Sequence, residues 1–165
     1  MDLTPQDKDQ LRQGEIYAVR LLTASKKSES ELLKRLELKG YPSAVAHQVV
    51  DRLKQNGVLD DRKLIEDTVQ WSIQSKKWGR RRISFELKKR GVKSSAITEA
   101  LDQYSEDLEF DLALEQGRAR WHKFRSVEFS KRKKRVYDYL INRGFDYELA
   151  RNVITKLETK SNENI

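Results

Sequence analysis

The sequence predicts an all-α protein: three tandem three-helix repeats forming an elongated, curved helical array. Three observations predict it. Two prolines and seven glycines in 165 residues leave little turn chemistry for a multi-stranded sheet. Lys, Glu, Leu, Arg and Ala, all favourable in helices, are abundant. Finally, the phrase Leu36-Glu37-Leu38-Lys39-Gly40-Tyr41 returns as Leu87-Lys88-Lys89-Arg90-Gly91-Val92 and as Leu140-Ile141-Asn142-Arg143-Gly144-Phe145, its glycines 51 and 53 residues apart.

Each glycine sets a register. Eight residues before it stand Leu32, Ile83 and Val136, and four before it Leu36, Leu87 and Leu140; Tyr41, Val92 and Phe145 follow it directly. Positions eight and four before the glycine share one face of a helix. Glycine takes the left-handed conformation that ends a helix, so Gly40, Gly91 and Gly144 are read as structural caps. The preceding Lys39, Arg90 and Arg143 suit the negative end of the helix dipole.

The elements follow in order. Residues 1–14 carry no periodic apolar signal and are expected to form a mobile N-terminal segment. The first repeat, 15–57, opens with a helix suggested by Ile16, Ala18, Val19, Leu21 and Leu22. Ser28 with Glu31 makes a capping box for its second helix, which Gly40 ends. Val45, Ala46, Val49, Val50 and Leu53 give the apolar stripe of the third. In the second repeat, 58–106, Asp60-Asp61 caps a helix carrying Leu64, Ile65, Val69, Trp71 and Ile73, with Trp71 expected in the core; Trp78 beside Gly79 fits either core or a stacking surface. Its second helix ends at Gly91, and Ala96, Ile97, Ala100, Leu101 and Tyr104 stripe its third. The third repeat, 107–158, begins with Leu108, Leu112, Ala113, Ala119 and Trp121 and closes with Leu149, Ala150, Val153, Ile154 and Leu157. Residues 159–165 are expected to be a mobile tail. Units of about fifty residues bury too little surface to stand alone, so neighbouring repeats must pack on one another.

Composition removes several functions. Charged residues make up 36% of the chain, against about 25% in ordinary domains. Cysteine is absent, which excludes disulfides, thiol nucleophiles and Cys-ligated zinc. No segment looks like a signal peptide or membrane span, and the expectation is a soluble, cytoplasmic monomer. His47 and His122 have no second ligand at helical spacing, no glycine-rich phosphate loop occurs, and Asp60-Asp61 reads as a helix cap before it reads as a metal nuclease. Hence no catalytic residue, metal or cofactor is expected, and the protein is read as a non-enzyme.

The net charge of +8 is unevenly spread. Residues 76–90 hold eight basic residues against Glu86, and residues 118–135 hold nine against Glu128, so these stretches carry +15 and the rest of the chain −7. Both lie at equivalent places, around the start of the second helix of repeats two and three. Lys76, Lys77, Arg80, Arg81, Arg82, Lys88, Lys89, Arg118, Arg120, Lys123, Arg125, Lys131, Arg132, Lys133, Lys134 and Arg135 are therefore the candidate contact residues, with Trp78, Trp121 and Phe124 interleaved. Such a face attracts phosphates by counterion release, or an acidic protein groove by steering. Arg80, Arg81 and Arg82 are expected to face solvent, and Glu86 to pair with Arg82 or Arg90.

These phrases carry a family resemblance. Ser28-Glu29-Ser30-Glu31-Leu32-Leu33-Lys34-Arg35-Leu36, running to Lys39-Gly40, resembles the opening phrase of the RecX family. Gly57-Val58-Leu59-Asp60-Asp61 is similar to its G-Y-L-D-D phrase, with Val58 in place of the aromatic. Trp78-Gly79-Arg80-Arg81-Arg82-Ile83 continuing to Glu86-Leu87-Lys88-Lys89-Arg90-Gly91-Val92, and Arg143-Gly144-Phe145, match later phrases in order and spacing. The resemblance spans roughly residues 16 to 157. It implies a modulator of the RecA recombinase that lodges on the RecA filament on DNA and lowers its ATPase, strand-exchange and co-protease activities, in DNA repair, homologous recombination and the SOS response. The competing expectation is a free-standing DNA-binding protein that uses a helix-turn-helix-like pair within one repeat.

Overall fold

A computed structural model describes residues 5–162, and no strand occurs among them. Among the described residues nine α-helices follow one another: α1 Pro5–Ala24, α2 Glu29–Lys39, α3 Ser43–Gln55, α4 Asp61–Trp71, α5 Arg80–Lys89, α6 Ser94–Asp102, α7 Glu106–Lys123, α8 Phe129–Asn142 and α9 Tyr147–Asn162. Between α4 and α5 the chain widens into a π-helical turn, Ser72–Lys76.

Two compact units form, and they do not follow the repeats. One holds the chain as far as Asp67 together with Leu87–Ala96; the other holds Thr68–Glu86 and the chain from Ile97 onward. The second repeat is thus divided in the middle of α4, α5 and α6. Three short helices bury too little surface to make a core of their own.

In the first unit α1 and α2 pack on α3. The core comprises Leu11, Ala18, Leu32, Leu36, Val45, Ala46, Val49, Val50, Leu53 and Leu59, with Tyr17, Leu21, Leu22, Leu33 and Tyr41 partly buried against it. Two expectations are corrected. The helix starts well before residue 15, and Leu11 is buried within it, which contributes about 1.5–3 kcal/mol. Ile16 and Val19 face solvent, because the packed face of α1 runs through Leu11, Gly14 and Ala18. Gly14 is needed there: a Cβ would come within 2.9 Å of Val49.

The N-terminus of α2 ties this unit to its distant segment. Ser28 Oγ accepts from the Glu31 N–H at 3.1 Å while the Ser28 N–H donates to Glu31 Oε2 at 2.8 Å, closing the capping box. The same hydroxyl donates to the Arg90 carbonyl, and the Arg90 guanidinium returns to Glu31 at 3.1 Å and to the Lys26 carbonyl at 2.8 Å. Asp61 accepts from the Glu29 N–H at 2.8 Å, and Asp60 caps α4 through the Lys63 N–H at 3.1 Å.

In the second unit α7 packs on α8 and α9 around Leu112, Ala113, Leu114, Trp121, Val136, Leu140, Phe145, Ala150, Val153, Ile154 and Leu157. Gly117 allows the approach, since a Cβ there would lie 2.9 Å from Val153. Leu108 and Ala119, expected in this core, face solvent; the buried face of α7 instead includes Glu109. Trp71, also expected in the core, is half exposed. Helix α9 continues to Asn162 where a tail was expected from 159, and residues 1–4 and 163–165 lie outside the described residues.

Candidate functional site

Helix α5 begins with Arg80, Arg81 and Arg82, three cations at the end where the helix dipole is already positive. Each costs about 0.3–1 kcal/mol at that position. Gly79, ahead of them, has no side chain to cap the helix. Groups distant in sequence do it instead. The Gly79 N–H donates to the Arg143 carbonyl at 3.0 Å, the Arg80 N–H to Glu109 Oε1 at 2.8 Å and the Arg81 N–H to the Gly144 carbonyl at 3.1 Å. A Cβ on Gly79 would fall 2.4 Å from Gly144 O, and one on Gly144 2.3 Å from Arg82 N. The two backbones therefore touch, and only glycine fits at either place.

Glu109 supplies a hydrogen-bond acceptor to this terminus, and it is 6% exposed. Burial pushes its carboxyl up from the ordinary range, against the Arg80 N–H and guanidinium, which pull it down. The Arg80 guanidinium lies 3.1 Å from Glu109 Oε2, donates to the Tyr104 carbonyl and sits 5.7 Å from the Tyr104 ring. Burial likewise raises the Tyr104 phenol, whose hydroxyl donates to the Trp78 carbonyl. Arg80 therefore braces the fold and is not the free surface cation expected from sequence.

The remaining candidates sort by what they touch. Arg82 pairs with Glu86 at 2.8 Å, as expected, and its guanidinium lies over Trp78 at 5.3 Å and Phe85 at 5.7 Å. Arg81 is exposed, 4.6 Å over Tyr147 and 3.8 Å from Asp146. Lys76 lies 4.8 Å over Trp71. Lys77 has φ 56, a left-handed conformation that a side chain rarely takes. Lys88 and Lys89 are exposed in the last turn of α5, where cations suit the dipole; they belong to the first compact unit, whereas Lys76 to Arg82 belong to the second.

Around the α7–α8 turn the pattern repeats with different partners. Arg132 donates to the Trp121 carbonyl at 3.0 Å and lies 4.1 Å over its ring; desolvation there lowers its affinity for the proton. Arg120 lies 4.2 Å over Tyr139 and Arg135 5.4 Å over Phe124. Lys133 pairs with Glu158, and Lys134 with Asp138 at 2.6 Å. Arg118, Lys123, Arg125 and Lys131 are exposed with their charges in solvent. Glu128 caps α8 by accepting from the Ser130 N–H at 2.9 Å. Sequence reasoning missed Glu109, since a carboxylate in an acidic run reads as surface, and it missed the half-exposed Trp71 and Phe85.

No group of three or more His, Asp or Glu able to hold a metal occurs among the described residues. His47 Nδ1 lies 2.8 Å from the Ser43 carbonyl on its own helix. No helix among the described residues is long and apolar enough to cross a membrane.

Residues 16–53, 60–101 and 106–154 match the family models described as the first, second and third three-helix domains of RecX. The chain is 32% identical over 147 residues to the regulatory protein RecX of Mycobacterium sp. (strain JLS), covering 87% of this chain and 80% of that protein. It is 26% identical over 140 residues to the regulatory protein RecX of Clostridioides difficile (strain 630), covering 85% of this chain and 66% of that relative, just under two thirds of its length. The crystal structure of RecX from Lactobacillus salivarius superimposes with a TM-score of 0.83 at 16% identity, over 92% of this chain and 99% of the other, a likeness of fold.

Proposed function

Because the chain belongs to the RecX family of regulatory proteins, we propose that it binds a RecA recombinase and its filament on DNA and inhibits the ATPase, strand-exchange and co-protease activities of that filament. It does so in the cytoplasm, as a monomer, and without chemistry of its own. The observation that carries this reading is the confinement of +15 to residues 76–90 and 118–135, with Lys76, Arg118, Lys123, Arg125 and Lys131 all exposed. Surface cations without a close acidic partner are available to phosphates or to an acidic groove. Arg82, Arg120, Arg132, Lys133, Lys134 and Arg135, paired or stacked, add to the basic surface of the second unit, and Lys88 and Lys89 to that of the first.

Helix-turn-helix readout is the weaker reading. It would use the N-terminal residues of a recognition helix, and in α5 those residues are already seated on Arg143, Gly144 and Glu109.

The test is single-strand-DNA-dependent ATP hydrolysis by the cognate RecA, titrated with the purified protein. Inhibition at equimolar or lower ratios is expected, and an unchanged rate overturns the proposal. The double variant Lys123→Glu with Arg125→Glu should weaken inhibition while leaving the thermal midpoint unchanged. Reversal at Arg80 is the wrong probe, since it would break the contact with Glu109.

A further inference from the structure

The end of α4 and the middle of α5 each leave an aromatic face in water. Trp71 is 50% exposed and Phe85 57%. Trp71 meets Trp78 edge to face, with ring centroids 6.2 Å apart and planes at 85°. The π-helical turn Ser72–Lys76 and the left-handed Lys77 lie between the two indoles and bring them together. Extra-wide turns of this kind and non-glycine residues at positive φ cost stability and concentrate at functional places.

Cations lie directly on these rings: Lys76 over Trp71, and Arg82 over both Trp78 and Phe85. From Trp71 to Phe85 the chain holds five basic residues and no acidic one. A protein partner burying these rings would have to desolvate the cations with them, and protein interface centres are depleted in charge. A ligand that alternates a flat apolar ring with an anion meets both demands. The ring stacks on an indole or phenyl face and the anion takes the displaced ammonium or guanidinium.

We propose that Trp71 and Phe85, supported by Trp78 and flanked by Lys76 and Arg82, form a stacking subsite for unpaired nucleobases of a single-stranded nucleic acid. This rests on the reading of the basic stretches as phosphate contacts and adds the base to the phosphate. A duplex, with its bases stacked inside, engages the cations alone. The motif recurs in the third repeat, where Arg135 stands nine residues before Gly144, as Arg82 does before Gly91, and lies over Phe124. In the first repeat Glu31 holds that position and caps a helix, which confines the pairing to the two basic repeats.

The test measures binding of the full chain, without RecA, to an oligothymidylate of about 15 nucleotides, to an abasic oligomer with the same phosphates, and to polyglutamate. The thymidylate is expected to bind roughly tenfold or more tightly than the abasic oligomer and to quench indole emission. Trp121 is 3% exposed, so that quenching reports Trp71 and Trp78. Trp71→Ala and, independently, Phe85→Ala should reduce thymidylate affinity toward the abasic level and leave abasic binding unchanged. Equal affinity of wild-type protein for both oligomers, or two folded variants that bind thymidylate as wild type does, overturns the stacking subsite while the phosphate reading stands. Binding of neither oligomer overturns both. Polyglutamate binding that falls in the same two variants assigns the surface to an acidic protein and overturns the proposal.

Discussion

At the scale of single residues, two buried or half-buried glutamates pull in opposite directions. Burial alone would raise Glu31, but the hydrogen bonds from Arg90 and the Ser28 N–H, with the charges of Arg90 and Lys27, outweigh it and hold its carboxyl below the ordinary range. Its contribution to stability is present above the unfolded-state pKa and is lost as pH falls through the folded one. Glu109 is raised, chiefly by burial. Its folded form binds the proton more tightly than the unfolded chain, so stability from this group declines as pH rises through its folded pKa. Glu109→Gln should therefore be at least as stable as wild type at neutral pH, because the amide oxygen can still accept from the Arg80 N–H, and the two should converge as pH falls through the carboxylate range. Glu109→Ala leaves that N–H without an acceptor and should lose about 1–3 kcal/mol. Urea unfolding of both variants across pH 4 to 8 checks the sign, and a neutral-pH loss in the Gln variant equal to that of Ala would refute it.

At the scale of elements, the second helix of each repeat begins in a different way. Helix α2 caps itself with Ser28 and Glu31, α8 with Glu128, and α5 borrows Glu109, Arg143 and Gly144. The glycines that looked alike in sequence differ accordingly. Gly40 has φ 102 with open space around it, so Gly40→Ala should cost about 1 kcal/mol, the conformational term alone. Gly144 has φ 87 and would drive a Cβ into the Arg82 backbone, so Gly144→Ala adds about 1–3 kcal/mol of overpacking. Chemical denaturation of the pair separates the two terms. The stripes of α3 and α9 were legible because apolar residues at helical spacing have one place to go, and the Ser28 box because it is local. The face of α1 was not, since its defining members are a glycine, an alanine and a leucine outside the apparent pattern. Neither was the cap of α5, whose partners stand 29 to 64 residues away in the chain and leave no local mark.

At the scale of the whole molecule, charge follows sequence position and not the average. Six acidic residues and no basic one lie between Asp102 and Glu115, bounded by the two basic stretches. Binding to DNA should therefore depend steeply on salt, with a slope in log affinity of about 0.7–0.9 per phosphate met. Removing Lys123 and Arg125 should lower that slope by about one for each phosphate that is no longer neutralised, measured from anisotropy titrations at several salt concentrations. The basic stretches themselves could be counted from sequence. Which cations are free could not, because Arg80 and Lys133 are occupied by Glu109 and Glu158 through the fold. The borrowed cap of α5 also has a meaning in time. A chain emerging from the ribosome completes Arg80 to Arg82 before Glu109, Arg143 or Gly144 exists, and so must hold three like charges at a bare helix end. The first turn of helix α5 lacks its cap until the chain has been made as far as Gly144, so a segment of the third repeat decides when the middle of the protein is finished.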